Sequence, residues 1–187
     1  MKGSLIGISG KFGAGKDTVA AMIIAWAKIH TKHTFTIHRF AYRLKKMVSI
    51  MTNTSEEQNF SREGKQIIPR GFNDTLGTLQ QKLGMAMRQA VDVNVWVDSV
   101  FANISPGQRV LITDVRFPNE FDRIRAEGGI IIRIEGGPPL APDGRDPMHP
   151  SECALDNHIF DAVIENNGTL DDLHVSVDHL LNSLNIT

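Results

Sequence analysis

The residues best suited to phosphate chemistry lie near the amino terminus, directly after an apolar run over residues 4–9: Gly10, Lys11, Phe12, Gly13, Ala14, Gly15, Lys16, Asp17 and Thr18. Glycines at both ends of this segment permit positive φ angles and a close approach of the backbone to an anion. Lys16 supplies a positive charge for the β- and γ-phosphates of a nucleotide, and the following helix adds the positive end of its dipole. The spacing predicts a phosphate-binding loop over residues 9–18.

Asp17 departs from the usual form of this loop, which carries Ser or Thr at that position as a ligand of Mg²⁺. Thr18 cannot take over the same position, because one helical step turns a side chain by about 100°. A carboxylate here repels phosphate unless a cation or its water lies between the two. We therefore predict that Asp17 belongs to an altered Mg²⁺ shell. The alternative is an aspartate that the helix dipole favours.

A second group of polar residues follows the apolar run over residues 110–113. Asp114 is predicted at the carboxyl end of a strand, where it could hold Mg²⁺ directly or through water, or accept the proton of a nucleophile. Arg116 can face the same side, and its planar fork suits a phosphate. Glu120 falls in the first turn of the next predicted helix, near the same crevice. Each of the three could instead be a solvated or dipole-favoured charge.

Apolar runs alternate with segments of helical periodicity, and this order determines where those polar residues must lie. A parallel sheet covered on both faces by helices is the expected result, with ligands at the carboxyl ends of the strands. The polar connection over residues 52–74 is expected to hold short helical turns. Strands are predicted at 4–9, 34–40, 109–113, 130–134 and 161–165, and helices at 18–28, 41–51, 75–90, 93–104, 119–127 and 170–184.

Length and charge limit the class of protein further. The 187 residues fit one domain, over residues 1–187, and the net charge of −1 gives no bulk attraction to nucleic acid or membrane. Cys153 is the single cysteine of the sequence, which indicates a reducing compartment. No apolar run approaches the roughly 20 residues of a membrane span. The expected location is the cytoplasm, without a membrane partner.

Segments spread along most of the chain carry a resemblance to a known family. They are SGKFGAGKDT, FAYRLKKM, LQQKLGMAMRQ, VWVDSV, TDVRFPNEFDRIRAEGG, the H-P-S-E stretch and FDAVIENNGTLDDL. In these segments the chain resembles the bacteriophage deoxynucleoside monophosphate kinases, within the larger group of nucleoside and nucleotide kinases. The resemblance implies a three-layer α/β/α P-loop kinase fold and transfer of the γ-phosphoryl group of ATP to a deoxynucleoside monophosphate (dNMP), with Mg²⁺, giving the diphosphate (dNDP) and ADP. The GKD form of the loop is familiar in that family, which agrees with Asp17.

Carried over residue by residue, the resemblance implies that Lys16 clamps the transferring phosphoryl group, Asp114 organises Mg²⁺ and Arg116 holds the acceptor phosphate. It implies a monophosphate-side segment over about 40–90 and a lid-like loop over about 136–150. Arg145 or Arg133 could bring transition-state charge from the lid. Further candidates for substrate contact are Arg43, Lys45 and Arg88, each with a solvated helix charge as the alternative. His149 and Glu152 fit an H-x-S-E-like stretch without a role of their own.

Two other functions stay open from the sequence. One is a phage kinase that phosphorylates a hydroxymethylated base in DNA or another small acceptor, for which a basic track would be needed. The other is a non-catalytic nucleotide-binding switch protein, although the sequence shows no guanine-selecting N-K-x-D motif. A homodimer is possible, and a phage-encoded protein would work in the host cytoplasm. The candidate residues for a basic track are Lys45, Lys46, Arg62, Lys65 and Arg70.

Overall fold

A five-stranded parallel sheet organises the first of two compact units in the structure, a computed structural model that describes residues 5–137 and 148–184. The strand order is β2-β3-β1-β4-β5, so β1 lies between β3 and β4 and the chain leaves it toward both edges. Such a switch point leaves a crevice at the carboxyl ends of the strands. The strands are β1 Leu5–Ser9, β2 Thr36–His38, β3 Val110–Val115, β4 Ile130–Gly136 and β5 Ala162–Asn166.

Helices cover both faces of this sheet. Ile6 and Ile8 of β1 pack in the core cluster that includes α1 (Lys16–His30) and α8 (Leu170–Ser183). Gly7, between them, faces the opposite side, where a Cβ would come within 2.9 Å of Ile124 in α6 (Pro118–Ala126). Because successive strand residues point to opposite faces, the three residues define two covered faces. The predicted three-layer α/β/α fold with a central parallel sheet is confirmed.

Local sequence sets the ends of the helices in this unit. Thr169 and Asp172 form the capping box of α8: Thr169 Oγ1 accepts from the Asp172 backbone N–H at 3.2 Å, and Asp172 Oδ2 accepts from the Thr169 N–H at 2.8 Å. These hydrogen bonds from Thr169 lower the pKa of Asp172. The short helix α7 (Pro150–Cys153) precedes β5 and has no buried residue.

The second unit contains residues 40–102 and 148–149 of the described chain. Its helices are α2 (Ala41–Thr52), α3 (Glu56–Phe60), α4 (Leu76–Ala90) and α5 (Val95–Phe101), with a 3₁₀ turn at Gly64–Gln66. A buried polar contact joins α3 and α4, because Gln80 donates to the carbonyl oxygen of the fully buried Asn59 at 3.0 Å. The helical turns expected within 52–74 are α3 and this 3₁₀ turn. The residues of this unit include the predicted monophosphate-side segment over about 40–90. The single kinase domain over 1–187 stays a prediction.

The predicted elements are all present, with changes at their ends. β3 continues to Val115, so Asp114 is the second-last residue of the strand and does not follow it. Pairing with β1 extends β3 to this point: Gly7 is registered with Ile112 and Ser9 with Val115, so β3 has one extra residue across this irregularity. β2 is shorter than the predicted strand over 34–40. Within residues 5–137 and 148–184, none of the helices combines the length and apolar character that a membrane crossing requires.

Candidate functional site

The loop between β1 and α1 has the positive φ angles that the sequence predicted for a phosphate-binding loop. Gly10, Gly13 and Gly15 all have positive φ angles, of 154°, 80° and 93°. Side chains would not fit at its two ends, since a Cβ on Gly10 would lie 2.6 Å from the Ile134 carbonyl oxygen and one on Gly15 would lie 2.5 Å from Asn166 Nδ2. The glycines therefore allow the loop to curl tightly between β4 and β5, ahead of the amino terminus of α1.

Lys16 folds back onto this loop. Its Nζ donates to the carbonyl oxygens of Gly10 at 2.8 Å and Lys11 at 2.7 Å. Removal of the half-buried ammonium group from water, together with the nearby positive charge of Arg116, lowers the pKa of Lys16 to about 7. The carboxylates of Glu152, Asp17 and Asp114 act in the opposite direction without cancelling this effect. A bound phosphate would supply the additional negative charge that holds Lys16 protonated.

Asp17 has a partner that the sequence did not suggest. Arg39, directly after β2, donates from Nη2 to Asp17 Oδ1 at 2.9 Å. The pair is solvent-accessible, because the Asp17 side chain is 82% exposed and that of Arg39 is 36% exposed. Arg39 thus neutralises the carboxylate that stands where other loops of this kind carry a hydroxyl group. Thr18, the next predicted nucleotide contact, is exposed on α1.

Arg116, Asp114 and the phosphate loop come together at the carboxyl end of the sheet. Asp114 is half-buried in β3, and its charge raises the pKa of Lys16, as that of Asp17 does. Arg116 lies close enough to lower the same pKa. The structure therefore groups Lys16, Asp17, Asp114 and Arg116 at one site. Their roles in substrate binding remain predictions.

Glu152 connects Arg116 to the phosphate loop. Its Oε2 accepts a hydrogen bond from the backbone N–H of Phe12 at 2.9 Å, and its Oε1 is paired with Arg116 Nη1. The same Nη1 donates to the Ser151 carbonyl oxygen at 2.8 Å. An internal carboxylate thus contacts two donors of the kind that bind phosphate.

An ion network around the buried Arg133 lies at the base of the loop. Arg133, on β4, donates to Ser9 Oγ at 3.3 Å and to Asp156 Oδ1 at 3.0 Å. Asp156 also pairs with the Lys11 ammonium group at 3.0 Å. Partial burial raises the pKa of Asp156, but the hydrogen bonds from Lys11 and Arg133 outweigh it and leave that pKa below its usual value. Arg133 is only 6% exposed, so it works as an internal partner of Asp156 and not as a lid arginine.

Glu120 accepts hydrogen bonds at the start of α6, and its predicted contact with substrate stays a prediction. It is 2% exposed, and its Oε2 accepts from the backbone N–H groups of Arg116 at 2.7 Å and Phe117 at 3.1 Å. A carboxylate in the first turn of α6 accepts hydrogen bonds from N–H groups that have no intrahelical partner, and the positive end of the helix dipole stabilises its charge. Its effect on the site is indirect, because it fixes the backbone from which the Arg116 side chain projects.

Asn166 provides a further contact to the phosphate loop. Its Nδ2 donates to the Ala14 carbonyl oxygen at 3.0 Å, and it is the last residue of β5. Arg39 and Asn166 were both missed by motif reasoning, although each lies at the carboxyl end of a predicted strand. That position was the available signal, since ligand contacts in parallel α/β sheets concentrate there.

The predicted acceptor contacts in the second unit each interact with another residue of that unit. Arg43 donates to the Ser99 carbonyl oxygen at 2.6 Å. Lys45 lies 4.7 Å above the centre of the Phe60 ring, and Arg88 donates at 3.1 Å to a carbonyl oxygen five residues farther along the chain. These cations have protein partners in this structure, and their part in substrate binding is a prediction. Arg145 and most of the lid-like loop over 136–150 lie outside the described residues.

The described residues fit Mg²⁺ only together with a substrate. Among them, no cluster of three or more His, Cys, Asp or Glu side chains could hold a metal ion. Mg²⁺ is commonly held by one or two carboxylates together with substrate phosphates and waters. Asp17 and Asp114 supply two carboxylates beside the loop, as their effects on Lys16 show. The donor set therefore suits an ion that arrives with a triphosphate.

Comparison with known proteins gives one relative over nearly the full chain. An Acanthamoeba polyphaga mimivirus protein with the name "Putative deoxynucleotide monophosphate kinase" is 29% identical over 191 residues, which cover 92% of this chain and 93% of the relative. No protein-family model matches the sequence. Among solved structures, the Thermus thermophilus protein TT1252 is 18% identical, with a TM-score of 0.46, and covers 96% of this chain and 97% of its own. Shikimate kinase from Bacteroides thetaiotaomicron has the same two coverages, at 13% identity and a TM-score of 0.40.

Proposed function

We propose that this chain is a deoxynucleoside monophosphate kinase, which transfers the γ-phosphoryl group of ATP to a dNMP and releases dNDP and ADP. The chain is a phosphotransferase of the P-loop kind. The observation that carries the assignment is the phosphate loop with Lys16, Asp114 and Arg116 grouped around it. The viral relative, similar over nearly the whole chain, supports a nucleotide kinase and supplies the monophosphate acceptor as the proposed substrate.

Lys16 is the proposed clamp of the phosphoryl group. Its ammonium group is held by two loop carbonyl oxygens in this structure, at 2.7 and 2.8 Å. These are neutral acceptors, so the β- and γ-phosphates of ATP would be stronger partners for the cation. Binding would move Nζ from the carbonyl oxygens to the phosphates and raise its pKa. In that position Lys16 stabilises charge on the transferring group.

Arg116 and Asp114 complete the proposed site. An oxygen of the acceptor phosphate attacks the γ-phosphorus, and the bond to the β–γ bridging oxygen breaks to release ADP. The guanidinium group of Arg116 would hold the acceptor phosphate in line for this attack. Mg²⁺, held through Asp17 and Asp114 with water, would neutralise charge on the triphosphate. The acceptor is already an anion, so this reaction requires no general base.

The test is a panel assay with purified protein, ATP and Mg²⁺. The four dNMPs, modified dNMPs and hydroxymethylated DNA would each be scored for ADP release and for the phosphorylated product. We expect conversion of one or more dNMPs to dNDPs. Phosphorylated DNA without any dNDP product would contradict the proposal and favour the DNA acceptor instead. Release of ADP without a phosphorylated acceptor would favour a nucleotide-hydrolysing switch protein.

Variants connect this activity to the site. Lys16→Ala should lower kcat strongly, because the charge on the transferring group loses its nearest cation. Arg116→Ala should mainly raise the KM for dNMP, because a phosphate contact is lost. The matched control is Arg123→Ala on α6, where the removed guanidinium group pairs with the exposed Glu127 four residues on. Acceptor kinetics that are unchanged in Arg116→Ala would refute its assigned role.

A further inference from the structure

Glu152 occupies donors that a phosphate would use. One of its carboxylate oxygens accepts a hydrogen bond from the backbone N–H of Phe12, within the phosphate loop. The other accepts one from the guanidinium group of Arg116. The pair is largely removed from water, with 11% of the Glu152 side chain and 20% of the Arg116 side chain exposed. A carboxylate and a phosphate present the same recognition groups, namely oxygens with negative charge.

The charges at the site make simultaneous binding of both anions unfavourable. Glu152 lies near enough to raise the pKa of Lys16, as do Asp17 and Asp114. A triphosphate would add several negative charges to the same loop, in a poorly hydrated place where like charges repel strongly. Its phosphate oxygens would also need the N–H groups of the loop, among them that of Phe12. One of the two anions must therefore give up these donors.

The position of Glu152 in the fold allows it to be the anion that leaves. It lies on α7, a four-residue helix in which no residue is buried. The buried anchor comes later, at Leu155, which is 2% exposed. The contacts that hold Glu152 at the loop are its hydrogen bond from the Phe12 N–H and its ion pair with Arg116, both of which phosphate oxygens can replace.

We propose that Glu152 sets the phosphate affinity of the loop by acting as an internal competitor for the Phe12 N–H and Arg116. In the absence of nucleotide it holds both donors in place, and the phosphates of ATP displace it from the Phe12 N–H. This inference rests on the ATP-binding part of the proposed function and not on the identity of the acceptor. A residue that only supported the loop would have the opposite effect on affinity, because its removal would weaken ATP binding.

The test measures ligand binding by the full chain in calorimetry, with ATP plus Mg²⁺ and separately with inorganic pyrophosphate. Glu152→Gln keeps the shape and one acceptor oxygen but removes the charge. We expect it to bind both ligands about fivefold more tightly than the wild type, as removal of a competing charge-assisted contact predicts. The matched control is Glu127→Gln, which removes the same charge from an exposed pair with Arg123 and should leave both affinities unchanged.

Weaker or unchanged binding in Glu152→Gln would overturn the proposal, as would equal tightening in Glu127→Gln. If Glu152→Gln does not fold, Glu152→Asp serves the same purpose, since the shorter carboxylate reaches the loop poorly and should tighten binding to a smaller extent. A second measurement is hydrogen exchange at the Phe12 amide, which should accelerate in nucleotide-free Glu152→Ala and return to the protected level with ATP. A Phe12 amide that ATP leaves unprotected would also overturn it. These binding results are independent of whether any dNMP is phosphorylated, so failure of the acceptor assignment would be recognised separately.

Discussion

The low pKa of Lys16 predicts a pH-dependent affinity for ATP. Burial of the ammonium group and the charge of Arg116 lower this pKa to about 7, so part of the ligand-free protein carries a neutral Lys16 at physiological pH. The phosphates of ATP bind the protonated form and raise its pKa when they are bound. Below pH 7 the charge is already present. Above pH 7, binding must take up a proton, and the affinity for ATP should fall.

The size of the effect follows from the two protonation states. With a free-state pKa of about 7, the affinity should fall about tenfold for each pH unit above 7.5, which is about 1.4 kcal/mol per unit. Between pH 7.5 and pH 9 the expected loss is therefore about 25-fold. At pH 8, the binding of each ATP should be accompanied by the uptake of about 0.9 proton by Lys16. The terminal phosphate of ATP contributes little in this range, because a phosphate monoester completes its second ionisation near a pKa of ~6.

Calorimetry in two buffers of different ionisation enthalpy measures both the affinity and the proton uptake. Lys16→Arg is the matched control, because its guanidinium group keeps its charge over the whole pH range. Its affinity for ATP should be nearly independent of pH over this range. A wild-type affinity that stays flat from pH 7.5 to 9 would refute the assignment of a neutral fraction to Lys16. The same slope in both proteins would trace the pH dependence to another group.

Three further predictions concern the supports of the site and the core. Asn166→Ala should raise the KM for ATP about fivefold with little change in kcat, because the loop loses one neutral hydrogen bond of about 1 kcal/mol, and steady-state kinetics at saturating acceptor would check this. Asp17→Asn should change the free energy of unfolding by less than about 1 kcal/mol, because its pair with Arg39 is exposed, but it should raise the Mg²⁺ concentration for half-maximal activity. Leu181→Ala should lower the free energy of unfolding by about 2–5 kcal/mol in urea titration, since Leu181 is fully buried. Val175→Ala on the same helix, where Val175 is 68% exposed, should cost less than about 0.5 kcal/mol, and equal losses in the two variants would contradict the assigned core.

Local patterns were sufficient to predict the secondary structure and the phosphate loop. Glycines at fixed spacing after an apolar run dictate a loop with positive φ angles, and Gly10 and Gly15 adopt them. The backbone conformation of these glycines depends on residues that are close in sequence, and so does the capping of α8 by Thr169 and Asp172. Alternating strands and helices likewise implied the parallel sheet, because a crossover connection requires it. The exact end of β3 was not predicted, because pairing with β1 extends that strand past Asp114.

Side-chain partners inside the site depended on contacts between distant parts of the sequence. Asn166 reaches the Ala14 carbonyl oxygen across 152 residues, and Glu152 reaches the Phe12 amide across 140. The carboxylate of Glu120 accepts hydrogen bonds from the backbone N–H groups of Arg116 and Phe117, partners that its position in the first turn of a helix did not specify. Sequence spacing can place each of these residues at the end of a strand or in the turn of a helix. Sequence spacing does not predict which of several nearby donors forms a hydrogen bond with a given acceptor.

The sequence by itself therefore determined that this protein has a parallel α/β sheet and a tightly curled glycine-rich loop after β1, because both depend on local backbone preferences. Only the tertiary structure decided how the charges around that loop are paired. Asp17 is neutralised by Arg39, and Glu152 holds Arg116 against the loop. The physical reason is that ion pairs and hydrogen bonds act over a few ångströms of space. The strands of the sheet bring those charges together from segments that are far apart in the chain.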